Sequence, residues 1–217
     1  MDDSLLVERR PLPIEGRLGQ QLAFLIEVDR LKTVLRASTL AAVDRRENDA
    51  EHSWHLALMV PVLAEYADEP IDVGHTIRLV VVHDLVEIYA GDTPIYDDNL
   101  RTDQEERELA AADKLFGLLP EDQAGEFRAL WDEFEARATP EARFAKAIDR
   151  LEPNLLNWMA GGGTWLTPGV TADVVRSRTE HIGQASTALG EVMTALIAGA
   201  ESNGWVAAGQ RRASGPA

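Results

Sequence analysis

The stretch LVVVHDLVEIYAGDT, residues 79–93, decides how the chain is read. An apolar run carries His83, Asp84 and Glu87 into one short segment, and Asp92 follows directly behind Gly91. Length and the glycine stop favour a helix, on which His83 and Glu87 lie one turn apart on one face with Asp84 beside them. The three successive valines also fit a buried parallel strand ending at His83 and Asp84, but no neighbouring segment offers a second strand to pair with it. An ionised carboxylate is rarely buried without a partner, so an aspartate in this setting needs a cation, a donor network or an exit to solvent. A metal ion is the leading candidate.

The composition narrows what such an ion could serve. At 217 residues the chain can build one sizeable core, and its apolar and charged content is that of a globular protein. A net charge of −16 argues against a nucleic-acid partner, since binding polyphosphate requires a basic surface. A small anionic substrate remains compatible if cations gather locally. The chain has no cysteine, so any metal must be held by His, Asp and Glu. The N-terminus lacks the basic-then-apolar order of a signal peptide, and no apolar run reaches ~20 residues, so the expectation is a cytoplasmic protein without a membrane partner.

Along the chain, residues 1–17 read as an N-terminal arm and residues 206–217 as a disordered tail, flanking one helical domain at 18–205. The first helix is expected from about Leu18 to Leu35, with Lys32 and Arg36 four residues apart at its end. Those two cations either complement the helix dipole or hold a phosphate. Asp49 is the expected N-cap of a helix at 50–67 that carries His52 in its first turn, with His55 as core or supporting residue and Pro61 as a kink. Alone, His52 reads as a capped helix-start residue. The central helix is expected at 73–90. Thr102 and Glu105 form a capping box for a helix at 103–117, and another follows at 121–137 with an apolar stripe of Phe127, Leu130, Trp131 and Phe134. Thr139 and Pro140 open a helix bearing Asp149 beside its apolar stripe, bent at Pro153 and ended by Gly161–Gly163. Aspartate has poor mid-helix propensity and gains nothing there from either dipole end, so its presence wants a reason. A last helix is expected at 171–200, apolar enough to serve as a dimer surface, with His181 structural or exposed.

Three helices thus each bring ligand-type residues: His52, then His83 with Asp84, then Asp149. Two imidazoles and two carboxylates suit one divalent ion (Mn, Co, Fe, Ni, Zn or Mg) with positions left for water. In this order the residues resemble the HD-domain metal-dependent phosphohydrolases over roughly residues 20–160. AEHSWHLAL, HDLVEIYAGDT and AKAIDRLEP are most similar to the 5′-deoxynucleotidase branch, which removes phosphate from deoxynucleoside monophosphates. The resemblance implies a compact all-α helical bundle, a single divalent metal, a homodimer, and a small phosphorylated substrate, a nucleotide above all. It places His52, His83, Asp84 and Asp149 as metal ligands, Glu87 and Asp92 as the acids needed for turnover, and Arg36, with Lys32 near it, at the substrate phosphate. Bacterial members carry a tryptophan after that arginine, where this chain has Ala37.

The chemistry these residues support is hydrolysis of a phosphomonoester by water activated at the metal, with the arginine neutralising phosphoryl charge and the two acids moving protons. Two other readings remain at this point: the same metal site acting on another phosphoester or a nucleoside triphosphate, and a non-catalytic helical dimerisation or binding module.

Overall fold

The computed structural model describes residues 12–97 and 102–209. Most of the expected arm, the end of the loop after Pro94 and the last eight residues lie outside them.

The fold is all-α, apart from one small hairpin. Helix α1 spans Gly16–Val28 and passes into a 3-10 turn at Asp29–Thr33. The chain then turns extended: β1, Leu35–Thr39, pairs antiparallel with β2, Arg46–Asn48. The expected helix to Leu35 therefore stops early, and Arg36 stands on a strand, not one helical turn after Lys32. Lys32 pairs with Asp29 at the surface.

Helix α2, Asp49–Leu63, is capped by Asn48, whose side chain accepts from the Glu51 N–H while Glu51 accepts from the Asn48 N–H. The cap is thus one residue earlier than Asp49, which is fully buried at the first helical position. Helix α3, Val73–Val82, is capped by Asp72, and the short α4 covers Glu87–Ala90. The valines are helical, as expected, yet the helix is interrupted at residues 83–86, where Leu85 N–H and Glu87 N–H donate three residues back to Val82 and Asp84.

Helix α5, Gln104–Phe116, has no side-chain cap, so the expected Thr102 and Glu105 capping box is not made. Helix α6, Glu121–Ala136, buries Leu130, Trp131 and Phe134. Helix α7, Pro140–Met159, opens on Thr139, whose hydroxyl accepts from Ala142 N–H, and continues through Pro153. It is the central element, packed on α2, α3, α6 and the pair that follows. That pair replaces the single expected C-terminal helix: α8, Ala172–Ala185, and α9, Thr187–Ser202, fold back on each other about an extended Ser186. The two helices approach so closely that a Cβ at Gly190 would lie 2.7 Å from Gly183 Cα. Leu189, Met193 and Ile197 of α9 are buried within the chain, which removes most of the apolar face expected to pair with a second copy. Order also extends past Trp205: Val206 is buried, and Ala207 accepts from Ala172 N–H, against the expectation of a tail disordered from 206.

Among the described residues no helix is long and apolar enough to cross a membrane.

Candidate metal centre and active site

His52 enters from the first turn of α2, His83 from the end of α3, Asp84 from the interruption after it, and Asp149 from the middle of α7. All four are buried. Asp149 Oδ1 lies 3.1 Å from His52 Nε2 and 3.5 Å from His83 Nε2. Asp84 completes the group, with Oδ1 3.0 Å from His83 Nε2 and Oδ2 4.0 Å from His52 Nε2. The four residues named from sequence as ligands thus converge.

Each ring is oriented through its other nitrogen. His83 Nδ1 lies 2.7 Å from the Val80 carbonyl, and His52 Nδ1 lies 3.1 Å from Glu152 Oε2. A carbonyl only accepts, so His83 Nδ1 carries the proton and Nε2 of the neutral ring carries a lone pair. That Nε2 is buried and makes no hydrogen bond, although carboxylate oxygens of Asp84 and Asp149 stand near it. Lone pairs facing lone pairs in a buried site are reconciled by a proton or a cation. Two imidazole nitrogens and two carboxylates, each ring tethered behind, match the donor set of a divalent metal.

Glu152 was not singled out from sequence. It is fully buried on the face of α7 that bears Asp149, one turn on, and accepts from His52 and from His55 Nδ1 at 3.0 Å. Burial opposes its charge, but the two histidines hold its pKa down at about 2. The signal lay in AKAIDRLEP itself, where an acid three residues after Asp149 falls on the same buried stripe. Glu47 and Asp49, flanking Asn48, were also missed; both are buried, and neither is at a periodicity that marks it.

These two acids belong to the other side of the site. Arg36 reaches from β1 so that Nη1 lies 2.8 Å from Asp84 Oδ2 and 3.3 Å from Asp49 Oδ1, with Nε 3.6 Å from Glu47 Oε2. Asp49, Asp84 and Glu87 crowd within metal-binding reach of one another. Burial and the charge of Asp84 raise Asp49 to about 7, and the same causes push Glu87 well above the ordinary carboxylate range. Burial likewise raises Asp92. Asp84 goes the other way, because His83 and Arg36 outweigh its burial. The interruption at 83–86 gives Glu87 to this acid group instead of to His83, and Gly91, at φ 77°, turns the chain so that Asp92 leaves the helix. Of the residues named from sequence, only Lys32 is not brought to the site.

Two cavities open here. One of about 520 Å³ is bordered by His83, Asp84, Glu87, Asp92 and Asp149 among others. Its neighbour, about 490 Å³, is bordered by Ala37, Ser38, Tyr96, Asn154 and Thr164 among others. Arg36, Asp92 and Arg150 border both.

A model of the HD domain matches residues 28–189. The chain belongs to the HD-domain family. Among solved structures, this HD-domain chain is similar to a predicted metal-dependent phosphohydrolase of Magnetospirillum magnetotacticum, at 50% identity and a TM-score of 0.84, over 91% of this chain and 100% of that one. A Pyrococcus horikoshii protein shares the fold at 23% identity and a TM-score of 0.61, over 82% of this chain and 98% of that one. Among curated relatives, the 5′-deoxynucleotidase HDDC2 of Bos taurus is 35% identical over 132 residues, 60% of this chain and 63% of that protein. The corresponding human protein is 33% identical over the same shares. The matched region thus spans less than two thirds of the length of these relatives. The family implies a divalent metal, and the cluster of His52, His83 and Asp149 is fit to hold one.

Proposed function

We propose that this HD-domain chain is a divalent-metal-dependent phosphomonoesterase, releasing phosphate from nucleoside or deoxynucleoside 5′-monophosphates. The observation that carries this reading is the buried Nε2 of His83, which makes no hydrogen bond and faces two carboxylates, beside an arginine that borders both cavities. His52, His83, Asp84 and Asp149 would hold one ion, of the Mn, Co, Fe, Ni, Zn or Mg group. Bound there, it supplies a Lewis acid for a phosphoryl oxygen and lowers the pKa of water.

The chain's own groups divide the remaining work. Arg36 exchanges part of its carboxylate contacts for the phosphoryl oxygens, which it neutralises through charge-assisted hydrogen bonds. Glu87 borders only the first of the two cavities, with Oε2 buried and unpartnered; a cation bound beside it would favour its ionised form, which then takes the proton of the attacking water. Asp92 borders both cavities, where the ester bond would cross from one to the other. Its raised pKa favours the protonated form that gives a proton to the leaving alkoxide. Water and phosphomonoester yield alcohol and inorganic phosphate.

Ala37 borders the second cavity and is too short to crowd a ribose 2′-hydroxyl, so both sugar series are expected as substrates. A panel of ribo- and deoxynucleoside mono- and triphosphates, run with Mn, Co, Mg and Zn, tests this reading. Metal-dependent phosphate release from monophosphates is expected, and none from Asp84→Ala; phosphate release by an Asp84→Ala protein that keeps its helicity would overturn it. A homodimer is also part of the proposal. Trp54, Leu58 and Val62, spaced four residues apart on α2, are all exposed and offer an apolar stripe for a second copy. Sedimentation of Trp54→Glu should then show monomer.

A further inference from the structure

Arg36 and Arg150 are the two cations at the boundary of both cavities; each has a buried Nε without a hydrogen-bond partner, but their terminal nitrogens are committed differently. Arg36 is engaged by Asp84 at 2.8 Å and Asp49 at 3.3 Å. Arg150, on α7 directly after Asp149, comes no closer to that carboxylate than 3.9 Å, from Nη2 to Oδ2, which is beyond hydrogen-bond reach. Its Nε is buried without any hydrogen-bond partner. An arginine fork carries five donors, and leaving one buried and unspent is costly unless a ligand completes it.

The oxygens of Asp149 are already divided. Oδ1 faces His52 and His83, while Oδ2 is served by Lys146 Nζ at 3.3 Å. Arg150 thus adds positive charge near that carboxylate without spending a hydrogen bond on it. The cavity beyond it is bordered by Ser38, Asn154 and Thr164, with Asp92 and Asp97 as its acids and Arg36 and Arg150 as its only Lys or Arg. A group seated across the boundary with one anionic end and one uncharged end matches this arrangement.

We propose that Arg150 is a substrate-binding residue: it grips the phosphate of the monoester at the boundary between the two cavities, and so directs the uncharged remainder into the cavity bordered by Ser38, Asn154 and Thr164. This rests on the phosphomonoesterase reading. A planar guanidinium can take two phosphoryl oxygens at once, which a lysine cannot.

The test compares wild type, Arg150→Met and Arg150→Lys, each metal-loaded and checked for unchanged metal content and circular dichroism. KM for a nucleoside monophosphate is expected to rise at least about tenfold in Arg150→Met, the size of one lost charge-assisted contact, with a smaller change in kcat and partial recovery in Arg150→Lys. Binding of inorganic phosphate, measured by calorimetry, should weaken in parallel. An unchanged KM and phosphate affinity would overturn the inference, as would a fall in metal content alone, which would make Arg150 a support for Asp149. If wild type hydrolyses no monophosphate, the proposed function fails by itself, and the calorimetric comparison still decides whether Arg150 grips phosphate.

Discussion

On the histidine side of the site, His52 and His83 are each tethered at Nδ1, by Glu152 and by the Val80 carbonyl, and their Nε2 atoms converge on Asp149. On the acid side, Asp49, Asp84, Glu87 and Asp92 share one guanidinium, and buried oxygens of Asp49 and Glu87 make no hydrogen bond. The first side is closed except for one lone pair. The second is buried and crowded with acids: burial first, and then the charge of Asp84, raise Asp49, Glu87 and Asp92, while Asp84, against His83 and Arg36, is lowered. A fixed site binds an ion tightly; a crowd of acids whose charge depends on what else is bound suits groups that trade protons during turnover.

The largest effect that separates the two sides is expected from Glu87→Gln. The change keeps the shape and removes a proton-trading group without touching a ligand, so kcat should fall by about 10²–10⁴-fold while bound metal stays stoichiometric. Since Glu87 is raised well above the ordinary range in the metal-free protein, its neutral replacement should cost no thermal stability there. Parallel loss of metal and activity, read by elemental analysis and phosphate release, would merge the two sides into one.

A smaller effect is expected on the histidine side from Glu152→Gln. The carboxylate accepts from both His52 and His55, and replacing it with an amide weakens the tether that fixes the His52 ring. Metal affinity should fall by about 10–100-fold, measured by competition with a chelating dye, and activity should return at high metal concentration. Activity that stays low when metal is saturating would move Glu152 to the acid side.

The same division explains what the sequence could disclose. The histidine side rides on α2, α3 and α7, whose periodic apolar faces and caps are local signals; His83 with Asp84 and Asp149 stand out on those faces, while His52, alone a helix-start residue, becomes a ligand candidate only beside them. The acid side depends on features without local period. The β1–β2 hairpin that carries Arg36 has a three-residue second strand, too short to register as a partner, so a helix was extended through it. Arg36 was reached through family resemblance, and Lys32, drawn in by helical spacing from Arg36, was misplaced with it. Glu47 and Asp49 come to face Arg36 through that hairpin, a contact with no local period. The break at 83–86, after which Glu87 stands with Asp49 and Asp84, has no glycine or proline to announce it.

The smallest expected effect comes from a third, half-buried histidine, in whose environment the charges are reversed. His181 on α8 lies among Arg150, Arg137 and Lys146, where its Nε2 has no hydrogen-bond partner; burial first, and then those cations, lower its pKa to about 4. The unfolded chain binds this proton near the ordinary value of about 6.5 while the folded chain does not, so folding stability rises with pH across that interval. The contribution is fully present above about 6.5 and is lost as pH falls toward 4. Other groups titrate in the same window, so the informative quantity is the difference between wild type and His181→Gln, unfolded by urea with chelator present. That difference should change in favour of His181→Gln as pH falls from 6.5 to 4. A difference independent of pH would mean that His181 takes up its proton in the folded state, as a histidine beside carboxylates does, and the contrast between the cationic flank of α7 and the acid side would lose its ground.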